Sequence, residues 1–146
     1  MKERFQIIPA VYLFLRKDNQ ILLSRRFQTG FADGQYSFVS GHLEGDETLR
    51  EAMIREAKEE ANIDLNLDDL KMIHTLHRSS KNNDKERIDI FFRAQKWNGE
   101  IKNMEEDKCD DLGWFTLDDL PDNIVPYVRQ TLENILEGKI YSEFGF

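Results

Sequence analysis

The chain has 146 residues with 28 Asp and Glu against 20 Lys and Arg, a formal net charge of −8 and a pI near 4.9. That balance opposes binding to a nucleic-acid polymer, which depends on Lys and Arg contacts releasing counter-ions from the phosphates, so a small phosphorylated ligand is the better fit. One domain spanning 1–146 is expected, long enough to bury about two thirds of its unfolded surface. The single cysteine, Cys109, excludes an intrachain disulfide and points to the reducing cytoplasm.

Near the N-terminus, Lys2 and Arg4 precede an apolar run from Ile7 to Leu15, which imitates a secretory leader. Pro9 interrupts the run, Arg16 and Lys17 end it, and no small-residue cleavage site follows, so it reads as a first strand. No segment approaches the roughly 20 apolar residues of a membrane span. Val11 to Arg16 and Gln20 to Arg26 flank the turn formers Asp18 and Asn19, which predicts a hairpin. Gly30 to Gly34 reads as a loop, and Tyr36 to Val39 as a short strand delivering Gly41.

The next segment, GHLEGDETLREAMIREAKEEANI from Gly41 to Ile63, carries most of the chemistry. Thr48 and Glu51 form a capping-box pair that starts a helix at Leu49. At roughly 100° per residue, Glu56, Glu59 and Glu60 fall within about a 100° arc, while Met53, Ile54, Ala57 and Ala61 occupy the neighbouring arc. Carboxylates so placed repel one another, and the arrangement asks for a counter-ion. Hard oxygen ligands suit Mg²⁺ or Mn²⁺, and Mg²⁺ commonly takes one or two protein carboxylates and leaves its other positions to water and substrate phosphate. Six identities, Gly41, Glu47, Arg55, Glu56, Glu59 and Glu60, fix the register. At roughly one in fifteen per residue, such a set recurs by chance at about one start in ten million.

At these residues the chain resembles the Nudix hydrolases. Their signature runs Gly, five residues, Glu, seven residues, Arg, Glu, an aliphatic, any residue, Glu, Glu, any residue, Gly and an aliphatic. One element departs: the last glycine is Asn62 here, which the left-handed conformation at a helix end accommodates almost as well. Ser40 also stands where many members carry a second glycine. The resemblance implies an α/β fold, an α/β/α sandwich with a mixed sheet, consistent with the alternation of elements. It implies that Glu56 and Glu60 bind divalent metal, that Glu59 shares it or helps to activate water, and that the Gly41 carbonyl is a further ligand. Arg55 would orient the carboxylates, and Glu47 would lock the entry loop against the helix.

Beyond the signature, Leu70 to Arg78 and Arg87 to Trp97 read as strands joined by a polar run from Ser79 to Lys85, Trp114 to Thr116 as a short strand, and Val125 to Glu137 as a helix. Alternation lets only one of Arg25 and Arg26 face a substrate, and Arg26 is taken as the phosphate contact. Glu105 lies on a loop from which several Nudix enzymes supply a metal ligand or general base. Ser37, leading into the signature, occupies a position where relatives place a base-contacting residue. Phe31, Tyr36, Phe38, Trp114, Phe115 and Tyr127 include candidates for base stacking, although strand aromatics are more often core. Asp64, Asn66 and Asp68 imitate a calcium loop but lack its glycine and closing glutamate. His74 and His77 fall on opposite faces of their strand and cannot share a metal.

The expected chemistry is metal-assisted attack of water on a pyrophosphate, with Glu56, Glu59 or Glu105 taking the proton. The chain lacks the added elements of subfamilies acting on NADH, coenzyme A, ADP-ribose or dinucleoside polyphosphates: no SQPWPFPxS-like run, no LLTKR-like run, and no proline or tyrosine between Ile63 and Asp84. A nucleoside triphosphate cleaved to monophosphate and pyrophosphate is the default, with ADP-ribose or another nucleotide sugar as the alternative. A nucleotide-binding regulator without turnover, and a non-catalytic divalent-metal binder, are the competing classes. A homodimer stays open.

Overall fold

The computed structural model describes residues 2–81 and 85–146. Its elements are β1 (Ile8–Phe14), β2 (Arg16–Lys17), β3 (Gln20–Arg26), β4 (Tyr36–Ser37), β5 (Val39–His42), α1 (Leu49–Ala61), β6 (Leu70–Arg78), β7 (Arg87–Ala94), β8 (Cys109–Thr116), α2 (Pro126–Leu136) and β9 (Tyr141–Phe144). The middle of the polar run from Ser79 to Lys85 lies outside the described residues.

Five strands form a mixed sheet in the order β5, β1, β7, β6, β9, with β1 parallel to β7 and β9 parallel to β6. A smaller antiparallel sheet is built on β3, which pairs with β2, β4 and β8. Period-two alternation sends Val11, Leu13, Ile90, Phe92 and Ala94 to one side of the mixed sheet, where they meet Ala52, Met53, Ala57 and Ala61 of α1. Ala10, Tyr12, Phe14 and Phe91 point the other way and pack with Tyr127, Val128 and Leu132 of α2. Each helix thus covers one face, which is the expected α/β/α sandwich with a mixed sheet.

Several element limits differ from expectation. β1 begins at Ile8 and runs through Pro9, whose carbonyl accepts from the Leu43 amide at 3.2 Å, so the ring sits where no strand donor is required of it. The strand expected over Tyr36 to Val39 divides at Phe38, and Gly41 lies inside β5 rather than after a strand. β8 starts five residues before Trp114, because Asp110 is neutralised across the ladder by Arg25 at 2.7 Å. β9 was not anticipated. Its four residues add a parallel edge strand to β6, and Ser142 Oγ lies 2.7 Å from Nε2 of the buried His74.

Candidate functional site

The site begins with the cap of α1. The Thr48 hydroxyl accepts from the Glu51 amide at 3.1 Å, and the Glu51 carboxylate accepts from the Thr48 amide at 2.8 Å. Both bonds satisfy amides that the first helical turn leaves unpaired, and they set the rotation of the helix about its axis. With that rotation fixed, the apolar arc faces the sheet, and Glu56, Glu59 and Glu60 face a cavity of about 820 Å³.

Arg55 ties the entry loop to the helix. Its Nε donates to Glu47 Oε2 at 3.1 Å and its Nη2 to Glu47 Oε1 at 2.8 Å, a two-pronged pair suited to the planar guanidinium. Nη1 donates to Glu56 Oε1 at 2.7 Å, and Nη2 also reaches the His42 carbonyl at 3.2 Å. Glu47 in turn accepts from the Glu44 amide at 2.8 Å. The hydrogen bonds from Arg55 hold the Glu47 carboxyl below its usual range. Gly41 lies against the same cluster, its Cα hydrogen facing the Glu56 carboxyl group.

Glu56 and Glu60 carry the electrostatic tension of the site. Burial raises the Glu56 carboxyl above its ordinary range, against the pull of Arg55. Glu60 is pushed up to about 8, first by burial and then by the neighbouring charge of Glu56, although its Oε2 accepts from the Ser40 amide at 3.0 Å. Glu105 contributes to both shifts, so the loop before β8 brings its carboxylate to the acidic wall. That loop is laid along the end of α1 by bonds from the Lys102 amide to the Ala61 carbonyl at 3.1 Å and from the Met104 amide to the Glu60 carbonyl at 3.0 Å. Among the described residues no three acidic, His or Cys side chains close into a cage. The oxygens are instead spread along one wall, an arrangement that suits a cation retaining water and substrate oxygens. A donor set of hard carboxylates, destabilised by one another's charge, fits a divalent cation.

Of the residues expected outside the signature, Arg26 and Ser37 border this cavity, whereas Arg25 turns to Asp110 on the other side of its strand. Arg26 is partly committed already, its Nε donating to the Phe31 carbonyl at 2.7 Å and its Nη2 to Thr29 Oγ1 at 3.1 Å. Both bonds belong to a rim loop organised by Asp33, which accepts from the amides of Thr29 and Gly30 at 2.9 and 3.0 Å. Gln28 and Ala32 hold positive φ in that loop, at 52° and 51°. Among the six aromatics considered for stacking, Phe31 is the exposed one, 38% accessible, and the Arg26 guanidinium lies 5.5 Å from its ring centre. Tyr36, Phe38 and Tyr127 are buried, Phe115 packs beside them, and Trp114 packs against Trp97.

The floor of the cavity was missed. His42, Arg78, Arg87 and Tyr12 line it together with Tyr127. Arg78 is buried with Asp89, Nε donating to Oδ2 at 2.7 Å, and its guanidinium covers the Tyr127 ring at 3.8 Å. Tyr12 and Tyr127 share a hydroxyl hydrogen bond of 2.9 Å, and burial raises both phenols. Burial, followed by the charge of Arg87, lowers His42. The available signal was a charged residue, Asp89, inside an otherwise apolar strand between two arginines at strand ends.

Comparison with known proteins agrees with this geometry. The NUDIX domain family model matches residues 6–135. The NAD-capped RNA hydrolase NudC of Chromobacterium violaceum is 30% identical over 116 residues, covering 80% of this chain and 40% of the relative. NudC of Vibrio atlanticus is 29% identical over 137 residues, covering 90% and 46%. The chain therefore spans less than half the length of these curated relatives. The crystal structure of a MutT NUDIX hydrolase from Burkholderia pseudomallei superposes with a TM-score of 0.80 at 26% identity, covering 88% of this chain and 98% of that one. A MutT protein from Methanosarcina mazei, 20% identical with a TM-score of 0.75, covers 93% and 97% and supports the fold. No helix among the described residues is long and apolar enough to cross a membrane. A signature in register from Gly41 to Ile63, a sheet flanked by two helices and a family match over most of its length together place this chain in the Nudix family of hydrolases.

Proposed function

We propose that this chain is a divalent-metal-dependent pyrophosphohydrolase acting on a small nucleotide, with Mg²⁺ as the working cation and Mn²⁺ able to replace it. The observation that carries the reading is the acidic wall: Glu56 and Glu60 are held beside one another at raised proton affinity, with Glu59 and Glu105 on the same cavity. Glu56, Glu59, Glu60 and the Gly41 carbonyl would hold the cation. When bound, it supplies charge neutralisation for the pyrophosphate and a more acidic water.

The remaining work falls to the protein. Arg55 keeps Glu56 turned toward the cavity through the 2.7 Å bond and holds the entry loop through Glu47. The Ser40 amide fixes one Glu60 oxygen. Glu59 is exposed and Glu105 half-buried, and one of these two or Glu56 removes the proton from the attacking water. Arg26 contacts a phosphate with the guanidinium nitrogen left over from its loop bonds, and Ser37 contacts the base. Water attacks phosphorus, the anhydride oxygen leaves with the departing phosphate, and no covalent enzyme intermediate is required.

A nucleoside triphosphate, cleaved to monophosphate and pyrophosphate, is the substrate we assign. The likeness to the MutT NUDIX hydrolase of Burkholderia pseudomallei, over nearly that protein's whole length, favours it. A second reading, a dinucleotide or ADP-ribose-type pyrophosphate, is favoured by the NAD-capped RNA hydrolases among the relatives. Product analysis on a panel of nucleoside triphosphates, ADP-ribose, nucleotide sugars and dinucleotides with Mg²⁺ or Mn²⁺ separates the two. Pyrophosphate release from a triphosphate supports the first reading, and two monophosphates from a dinucleotide support the second. Binding without turnover of any member would leave a regulator in place of an enzyme.

A further inference from the structure

One wall of the cavity is the small sheet built on β3, and an extra residue in β8 sets its chemistry. Arg25 pairs with Asp111 but Arg26 pairs with Cys109, so Asp110 is left over as a bulge. Strict alternation from Leu112, which lines the cavity, would turn Asp110 inward and Cys109 away. With the bulge, Asp110 and Asp111 both lie on the far side, where Asp110 meets Arg25 at 2.7 Å and Asp111 accepts from the Tyr36 hydroxyl. The cavity receives the Cys109 thiol in place of a carboxylate.

So placed, Cys109 decides which way a neighbouring hydroxyl points. Its Sγ donates to the Asp111 carbonyl at 3.2 Å and lies 3.3 Å from Ser24 Oγ. A carbonyl can only accept, so the thiol hydrogen is taken and the Ser24 hydroxyl donates to the sulfur. Ser24, half-buried on the cavity, is left with its oxygen lone pairs free and acts as an acceptor. Ser37 stands directly opposite it in the β3–β4 ladder. Ser37 is 3% exposed and borders the same cavity, and its Oγ is buried with no hydrogen-bond partner among the described residues. Buried polar atoms in native proteins are almost always paired, and one left over calls for a ligand or an ordered water. Residues opposite each other on one face of such a ladder carry Cβ atoms about 4.5–5.5 Å apart. The two N–H bonds of a planar amino group, diverging by about 120°, reach acceptors about 5 Å apart when each hydrogen bond is about 2.9 Å long. A carbonyl in the same place offers Ser24 no hydrogen.

We propose that Ser24, oriented by Cys109, joins Ser37 in reading an exocyclic amino group of the nucleobase. The substrate class is then an adenine, cytosine or guanine nucleotide in preference to one of uracil, thymine or hypoxanthine. Ser24 touches the base, and Cys109 is a positioning residue that acts through it. The inference rests on the pyrophosphohydrolase reading for its reaction and gives the base contact of Ser37 a chemical partner.

The test compares triphosphates that differ at one base group: CTP with UTP, ATP with ITP, and GTP with ITP. In the pair containing the best substrate, the amino member should be preferred by about 10- to 100-fold in kcat/KM, as expected when a buried acceptor loses its donor. Ser24→Ala should bring that ratio close to one. Cys109→Ala frees the Ser24 hydrogen to donate to a carbonyl, so the ratio should fall because the amino-free member gains. Cys109→Ser can still donate to the Asp111 carbonyl and accept from Ser24, and should keep most of the ratio. A wild-type ratio near one in every pair that turns over, or a ratio untouched by Ser24→Ala, would overturn the proposal. Equal loss in Cys109→Ser and Cys109→Ala would overturn the part given to Cys109. Calorimetry of metal-free protein with CMP and UMP, and with AMP and IMP, reads the same contact without turnover. Tighter binding of the amino member, lost in Ser24→Ala, upholds the contact even if no triphosphate is cleaved, an outcome that would overturn the pyrophosphohydrolase reading alone. Equal binding of both members in each pair rejects the contact.

Discussion

The carboxyl group of Glu56 fills the space that a side chain on Gly41 would need. Gly41 lies in β5 and Glu56 on α1, so this contact sets how closely the strand and the helix approach at the acidic wall. Gly41→Ala should push Glu56 away and break its 2.7 Å bond with Arg55. Misplacement of a reacting group by about 1 Å can cost on the order of 100-fold in rate. We expect kcat/KM to fall by at least about 10-fold with the fold retained, checked by steady-state kinetics beside a thermal melt. Wild-type kinetics in this variant would show that Glu56 can move without consequence.

Glu60→Gln keeps the shape of the side chain and an oxygen for the Ser40 amide, but removes the charge. Turnover in Mg²⁺ should drop by orders of magnitude. The metal-free fold should survive, and should gain stability above about pH 8, where the native Glu60 is charged beside Glu56 and Glu105. Turnover and circular dichroism on the same preparation decide the matter, and near-normal turnover would remove Glu60 from the ligand set.

The pH dependence of the metal-free protein follows from the same carboxyl. Its proton affinity in the fold, about 8, exceeds the ordinary 4.5. The folded state therefore binds the proton more tightly than the unfolded chain. Stability from this group is fully present below about pH 4.5 and is lost as pH rises through about 8. Melting temperatures in EDTA should decline across that window by more than in Glu60→Gln. Added Mg²⁺ should stabilise most at the alkaline end, where the carboxylate is free to bind it. A Mg²⁺ effect that stays flat from pH 5 to 9 would dissociate the cation from Glu60.

The parts of this molecule that were legible from its sequence are those set by local chemistry. Thr48 and Glu51 announce the start of α1, and helical spacing alone puts three glutamates on one side and Met53, Ala57 and Ala61 on the other. The floor was not legible, because Arg78, Asp89 and Tyr127 meet only when β6, β7 and α2 assemble. A charged residue in the middle of β7 looks like a breach of alternation until its partner across the ladder is known. β9 was hidden for a related reason: four residues beyond the last helix carry little signal, and their pairing with β6 depends on where α2 ends.

Asn62 shows how a departure from the family pattern is accommodated. It sits at φ 58° and ψ 32°, the left-handed conformation usual for glycine at a helix end, and its amide closes the last turn onto Ala57 and Lys58. Unlike glycine, it also donates from Nδ2 to the Glu100 carbonyl at 2.8 Å, joining the helix end to the loop that carries Glu105. Asn62→Gly keeps the cap and removes that tie, so it should be neutral to mildly destabilising rather than a gain. Asn62→Ala loses the tie and also strains the backbone, and should cost about 1–2 kcal/mol. Because Lys102 and Met104 still anchor the loop to α1, turnover in both variants should stay within about 3-fold of wild type, a small fraction of what a misplaced reacting group costs. Denaturant titrations paired with kinetics check both halves, and an Asn62→Gly protein clearly more stable than wild type would show that the bond to Glu100 adds nothing.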